Sequence, residues 1–363
     1  MNTTRRYDGL ALFSGGLDSL LAMKVIEQQG LRVLGLHFVS PFFGKPEKMD
    51  HWRRIYDLDL EMVDIGQEYV DMIAAGPEHG FGKHLNPCID CKIMMLRKAR
   101  ELMPRYGAKF LVSGEVVGQR PMSQRKDALN IIRRDAEVRD ELVRPLCALN
   151  LDPSAAEEQG LVDRSRLLGI WGRGRKVQLR LAGEFGITEI PTPAGGCQLA
   201  EKESTLRYHQ VLRHVARPAA TNFDLANTGR QVWAGDKWLV TGRNQADNGR
   251  LQELVRDFDY VLKVRDYPGP LGLGRPIAEG AVGGGWDEET IRAAAAFTAS
   301  YSPKAVRAAE DGEEIAVQVR RGEATRDVLV VPSRESGPHG EKWAEPTDRE
   351  ALKEWKLCRV QKG

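Results

Sequence analysis

Over the first 115 residues, short apolar runs alternate with segments of helical period, and the runs stop at small or polar residues. Leu10–Phe13 is such a run, and Ser14-Gly15-Gly16 ends it. From Asp18 to Gln29, Leu20, Leu21, Val25 and Ile26 fall on one helical face, with Gly30 placed to cap the C-terminus. Arg32–Phe38, Glu61–Ile65 and Lys109–Val112 read as further strands, and Lys92–Tyr106 reads as a helix. Strand–helix–strand alternation predicts an α/β fold, a parallel sheet with helices on both faces. Ligands of such sheets sit beyond the carboxyl ends of the strands. Ser14–Ser19 and Ser113–Glu115 both fall there.

The pattern changes near residue 200. Glu201–Val215 reads as a helical connector. Beyond it, Trp238–Thr241, Tyr260–Val264, Ile315–Arg320 and Asp327–Val331 read as strands and Glu288–Ser300 as a helix, an α+β pattern. The expected organisation is an α/β domain over 1–200, a connector over 201–217, an α+β domain over 218–330 and an irregular tail over 331–363.

Composition narrows the function classes. Apolar residues make up 42% and charged residues 29% of the chain, so a disordered chain is excluded. The net charge is +2, which leaves room for a local basic patch but not for a globally basic coat protein. The longest stretch free of Asp, Glu, Lys and Arg runs from Val33 to Gly44, short of the roughly 20 apolar residues a membrane helix needs. The apolar run near the N-terminus is too short for a secretion signal, so a cytoplasmic location is the default expectation. Five dispersed cysteines do not read as a disulfide framework. Metal or thiol chemistry is the better expectation.

Ser14-Gly15-Gly16-Leu17-Asp18-Ser19 follows a strand and opens a helix. Two glycines let backbone N–H groups approach an anion, and the helix start adds unpaired donors. Ser14 and Ser19 can donate hydroxyl hydrogen bonds. A carboxylate cannot face bare phosphate, so Asp18 is expected to act through Mg²⁺. On spacing alone the alternative is a serine–glycine turn with Asp18 as a helix cap. The hexapeptide resembles the Ser-Gly-Gly-x-Asp-Ser signature of the PP-loop ATP pyrophosphatases, which split ATP between its α and β phosphates. That resemblance implies an ATP site, with Leu36, His37 and Phe38 at the end of the second strand beside the adenine.

Cys88 and Cys91 stand three apart at an expected helix start, a setting that favours thiolates. Cys197 follows two glycines in Pro193-Ala194-Gly195-Gly196-Cys197. Cys147 lies in an apolar stretch and is expected to pack as a small hydrophobe, and Cys358 falls in the tail. An Asn-Pro-Cys-x-x-Cys after a PP-loop resembles the tRNA 2-thiouridine synthases. With one distant cysteine, it also resembles the cluster-containing tRNA thiolases. The resemblance implies that Cys88, Cys91 and Cys197 hold a [4Fe-4S] cluster with one iron open to a sulfur donor. Two alternatives stay open: a persulfide pair of Cys88 and Cys197 without a cluster, and a structural zinc site with His84.

Ser113-Gly114-Glu115-Val116-Val117-Gly118-Gln119, with Ser123-Gln124 after it, is similar to a segment of the tRNA 4-thiouridine synthases, and Arg144-Pro145-Leu146 extends the likeness. Gly114 would open backbone access near ATP. Glu115 would orient Mg²⁺ or the base, and Gln119 would hydrogen-bond either. Six cations, Arg164, Arg166, Arg173, Arg175, Lys176 and Arg180, fall in an acid-free run around Trp171, a pattern suited to RNA phosphates and stacked bases. A solvated helix face is the plainer reading of the same run. In the C-terminal part, Leu239–Asn244 with Asn248 and the later Tyr267-Pro268-Gly269-Pro270 resemble the NFACT-R RNA-binding module. This implies RNA contacts at Arg243, Asn244 and Asn248.

Together these expectations describe a tRNA-uridine thiolase. ATP adenylates a uridine carbonyl oxygen, Asp18, Cys88 and Cys197 carry the chemistry, and sulfur replaces that oxygen. The partners would be tRNA and a sulfur donor (sulfide, a cysteine desulfurase or a sulfur-carrier protein), with a homodimer left open. The competing readings are sulfur or nitrogen transfer to a small molecule, and a non-enzymatic RNA-binding module with a decayed nucleotide site.

Overall fold

The computed structural model describes residues 6–191, 196–277, 285–335 and 337–360. The chain divides into two compact units: residues 1–201 with 356–363, and residues 202–355.

In the first unit the strands are β1 (Gly9–Leu12), β2 (Val33–Val39), β3 (Asp59–Asp64), β4 (Phe110–Ser113) and β5 (Leu142–Val143). The helices are α1 (Leu17–Glu27), α2 (Met49–Tyr56), α3 (Gly66–Ala75), α4 (Cys88–Tyr106), α5 (Lys126–Asp135), α6 (Ala155–Glu158) and α7 (Lys176–Glu184). All strand pairs are parallel, in the order β3-β2-β1-β4-β5. The chain builds outward from β1 to β3, then crosses back and lays β4 on the other side of β1. Strand order therefore reverses between β1 and β4. Leu12 pairs with both Leu36 and Ser113, so the loops after β1 and β4 leave the sheet at one level. The complete burial of β1 and β4 is what a sheet covered on both faces requires. Leu20, Leu21 and Met23 of α1 are wholly buried in its core.

The second unit holds α8 (Lys202–His214), α9 (Ala220–Ala226), β6 (Arg230–Ala234), β7 (Lys237–Thr241), α10 (Gln245–Glu253), β8 (Tyr260–Val264), β9 (Leu271–Arg275), α11 (Glu288–Ala299), α12 (Pro303–Glu310), β10 (Ile315–Arg321) and β11 (Ala324–Val330). Its six-stranded sheet runs β11-β10-β8-β9-β7-β6 and is antiparallel throughout. The alanine-rich face of α11 is buried in its core. The strand β9 was not expected in a Gly-Pro-rich stretch. Its glycines serve close packing: a Cβ on Gly274 would collide with Trp286, and one on Gly272 would press on Thr298. Residues 331–363, expected to be irregular, contain α13 (Arg349–Val360).

Candidate active site

Gly15 stands at φ +75°, in the left-handed region, and a Cβ there would run into the Trp52 ring. Trp52 in turn meets Phe13 edge-on, with ring centroids 5.4 Å apart. Within the loop, Ser19 Oγ donates to Gly16 O (2.8 Å) and accepts from Ser14 N–H (3.2 Å), and the Ser14 and Ser19 hydroxyls lie 3.2 Å apart. This network shapes the turn and leaves it at the head of α1.

The loop after β4 closes over the same place. Gly114 packs so tightly on the backbone of Asp18 and Ser19 that no side chain fits between them. Its role is close approach of the two loops. Gln119 Nε2 donates to Asp18 Oδ2 (2.6 Å). Asp18 Oδ1 is buried and has no hydrogen-bond partner. A carboxylate oxygen held in that state fits a hard divalent cation.

Glu115 is buried and accepts from Arg144 Nε (2.9 Å). Burial alone would raise its carboxyl, but Arg144 and Lys92 outweigh burial and hold it below the usual range. It is therefore an internal anion that fixes Arg144, which also donates to Leu129 O (3.1 Å). Cys147, buried as expected, donates from its sulfur to Glu115 O (3.1 Å).

Leu36, His37 and Phe38 are buried at the end of β2. His37 Nε2 accepts from the Lys45 N–H (2.9 Å), which leaves the proton on Nδ1 to donate to Phe13 O (3.0 Å). Both imidazole nitrogens are thus engaged within the protein.

The helix α4 begins four residues earlier than expected, so Cys88 is its first residue and Cys91 lies in its first turn. Residues 192–195, which precede Cys197 and include the first part of its expected turn, lie outside the described residues. Beyond them, Gln198 N–H donates to Phe42 O (2.9 Å) and Leu85 N–H donates to Leu199 O (3.1 Å). The first bond holds the Cys197 segment against the loop after β2, and the second holds it against the loop that leads into α4. All three sulfurs lie within electrostatic reach of one another around the buried Tyr69, whose hydroxyl donates to Cys91. Asn86 Nδ2 donates to Cys88 Sγ (3.2 Å) and reaches toward Met122 Sδ (3.7 Å), joining the cysteine loop to the loop that carries Gln119.

The thiols differ from expectation in one respect. Burial pushes Cys91, in the first turn of α4, up to about 11 against the effect of the helix start, and it pushes Cys197 up to about 12. Among the described residues, no three His, Cys, Asp or Glu side chains are gathered tightly enough to hold a single metal ion, and His84 does not complete a zinc site. Three soft sulfur donors, with an amide donor at one of them, fit an iron–sulfur cluster, whose ligands stand further apart than those of one ion. Tyr69 and Asn86 were not anticipated. Asn86 was visible beside Pro87-Cys88, whereas nothing in the sequence points to Tyr69.

The basic run divides. Arg164 is paired with Glu157 and donates to Ala148 O and Leu151 O, and Arg166 donates to Gln28 O. Arg180 pairs with Glu184 at 3.5 Å. Arg173 and Lys176 are exposed, and Arg175 lies 4.0 Å from Asp18. Trp171 is 62% exposed, although Gly172 N–H ties its backbone to Val117 O (2.8 Å). In the second unit, Arg243 pairs with Asp247, the Asn244 side chain caps α10, and Asn248 Oδ1 accepts from Leu271 N–H. Each of these three is engaged in local structure.

A parallel sheet with a Ser-Gly-Gly-x-Asp-Ser turn at its reversal point defines a PP-loop domain. Residues 5–154 match the family described as Thiamine biosynthesis protein (ThiI). Among curated proteins, the chain is 25% identical over 200 residues to a probable tRNA sulfurtransferase of Thermococcus kodakarensis, covering 48% of this chain and 50% of that one. It is 33% identical over 125 residues to the tRNA-specific 2-thiouridylase MnmA of Petrotoga mobilis, covering 29% and 34%. A solved structure of the U34-tRNA thiolase NcsA from Methanococcus maripaludis, described with its [4Fe-4S] cluster, aligns with a TM-score of 0.28 and 14% identity over 53% of this chain and 62% of that one. The chain spans about half the length of the first curated relatives it matches. No helix among the described residues is long and apolar enough to cross a membrane.

Proposed function

We propose that the chain is an ATP-dependent tRNA-uridine thiolase. The observation that carries this reading is the gathering of Cys88, Cys91 and Cys197 around Tyr69, in the same unit as the Ser14–Ser19 loop and joined to the Gln119 loop through Asn86. The match of residues 5–154 and the names of the curated relatives support tRNA as the acceptor.

In this reading Ser14–Ser19 and the head of α1 cradle the ATP phosphates, and Asp18 Oδ1 holds Mg²⁺. A uridine carbonyl oxygen attacks the α-phosphate and pyrophosphate leaves. The chemistry is positioning and charge compensation, which makes a poor leaving group into AMP. Sulfur then bonds to the activated ring carbon, and AMP departs with the former carbonyl oxygen. Cys88, Cys91 and Cys197 would hold a [4Fe-4S] cluster, which when bound supplies an iron with an open position for a sulfur ligand. Tyr69 and Asn86 hold the Cys91 and Cys88 sulfurs in place. Exposed Trp171, Arg173 and Lys176 offer RNA a stacking face and two cations beside the nucleotide loops.

The test is ATP turnover by the full chain, purified without oxygen and supplied with Mg²⁺, sulfide and unmodified tRNA. Conversion of ATP to AMP and pyrophosphate that requires tRNA is expected. Turnover that ignores tRNA would favour a small-molecule acceptor, and tRNA binding without turnover would favour a non-catalytic module.

A further inference from the structure

Of the six cations in the basic run, Arg175 alone has a described ion pair that faces the phosphate loop. It stands immediately before α7, and its Nη2 lies 4.0 Å from Asp18 Oδ2. That separation is long for a closed arginine–carboxylate pair, which makes two short parallel bonds. The guanidinium therefore retains donors for a further anion at this spot. Three residues on, Gln178 is wholly buried, and its Nε2 donates to Gln119 Oε1 (3.2 Å) while its own Oε1 has no partner. Because Gln178 fills the carbonyl side of the Gln119 amide, the Gln119 NH₂ group must face Asp18, where it donates at 2.6 Å. A chain of two amides thus runs from the interior of α7 to the carboxylate at the head of α1.

We propose that α7 forms the far wall of the nucleotide site, with Arg175 as a ligand of the ATP phosphates and Gln178 as a positioning residue that orients Gln119 and, through it, Asp18. Arg175 thus serves the nucleotide rather than the RNA. Its planar fork suits the paired oxygens of a polyphosphate, and its charge offsets the repulsion that Asp18 would otherwise impose on them. The inference rests on the reading of Ser14–Ser19 as an ATP site.

Binding of labelled ATP and of tRNA to the full chain tests it. Arg175→Ala should weaken ATP binding roughly tenfold or more, the worth of a lost charge-assisted contact. Competition by pyrophosphate should weaken in parallel, and competition by adenosine should stay within about twofold. tRNA affinity should also hold within about twofold, and Arg175→Lys should recover part of the ATP affinity. Unchanged ATP affinity in a folded Arg175→Ala chain, or equal losses for pyrophosphate and adenosine, would overturn the assignment. A fall in tRNA affinity with ATP binding intact would return Arg175 to the RNA surface. A wild-type chain that binds no ATP would instead overturn the nucleotide-site reading itself. Gln178→Leu removes a buried amide that is only half satisfied, so the melting temperature should change little. The Mg²⁺ concentration that half-saturates ATP binding should rise several-fold. A lowered melting temperature with an unmoved Mg²⁺ requirement would make Gln178 purely structural.

Discussion

Gln119 donates to Asp18 across 2.6 Å and so ties together the two loops that flank the reversal of strand order. The pair fixes one oxygen of the Asp18 carboxylate and leaves the other buried without a partner. Asp18→Asn keeps the shape and the hydrogen bond but loses the charge. We expect the fold to survive, with Mg²⁺-dependent ATP binding and AMP formation falling by about two orders of magnitude, comparable to losing one strong electrostatic contact at a reacting group. Equilibrium ATP binding with and without Mg²⁺ checks this, and an unchanged Mg²⁺ response would remove Asp18 from the cation site.

Gly15 cannot accept a side chain on two counts, its positive φ and the Trp52 ring. Gly15→Ala should cost about 1–3 kcal/mol in backbone strain alone. Displacement of Trp52 adds to that, and the loop should lose its grip on phosphate. A thermal melt and an ATP titration read the two effects separately.

Trp171 should behave as an RNA contact. Trp171→Ala removes an exposed ring whose backbone is pinned by Gly172, so stability should hold. tRNA affinity should fall by about 1–3 kcal/mol if a base stacks there. Reversing charge at Arg173 and Lys176 should flatten the salt dependence of tRNA binding. Filter binding across a salt series measures both, and parallel, unshifted lines would remove RNA from this face.

His209, in the second unit, gives a pH signature. It is buried edge-on to Trp355, and burial, with Arg213 adding to it, lowers its pKa to about 4 from 6.5. Between those values the unfolded chain takes up a proton that the folded chain refuses. The stability this group contributes is intact above pH 6.5 and is lost as pH falls toward 4, at up to about 1.4 kcal/mol per pH unit. Urea midpoints between pH 7 and 4.5 should show the decline, and His209→Gln should flatten it.

What could be read in the sequence was local. The turn at Ser14–Ser19 announces itself because strand, glycines and helix face are contiguous. The α/β and α+β patterns were legible for the same reason. The strand β9 was hidden because its glycines answer to Trp286 and Thr298, which lie elsewhere in the chain. The helix α13 was obscured by the Pro- and Gly-containing stretch before it, although its own residues are good helix formers. The charge run could not be sorted, since Glu157 claims Arg164 and Asp18 faces Arg175 only once the chain is folded. The approach of the three cysteines to one another was not legible. Their meeting depends on the bonds from Gln198 to Phe42 and from Leu85 to Leu199, which no local pattern encodes.

Iron and acid-labile sulfide separate the roles of the thiols. The anaerobic full chain should carry both, and Cys88→Ser, Cys91→Ser and Cys197→Ser should each lose most of the iron. Cys147→Ala, a change in the packed interior beside Glu115, should lose only stability, about 1 kcal/mol. An iron-free wild-type chain that still thiolates RNA, and tolerates Cys91→Ser, would replace the cluster with a persulfide on Cys88 and Cys197.

The most direct measurement is mass spectrometry of nucleosides from tRNA incubated with the chain, MgATP and sulfide. One thiouridine should appear for each AMP released, and Cys197→Ser should abolish the product while ATP still binds. AMP release with no sulfur in the RNA, or undiminished thiolation by Cys197→Ser, would contradict the account.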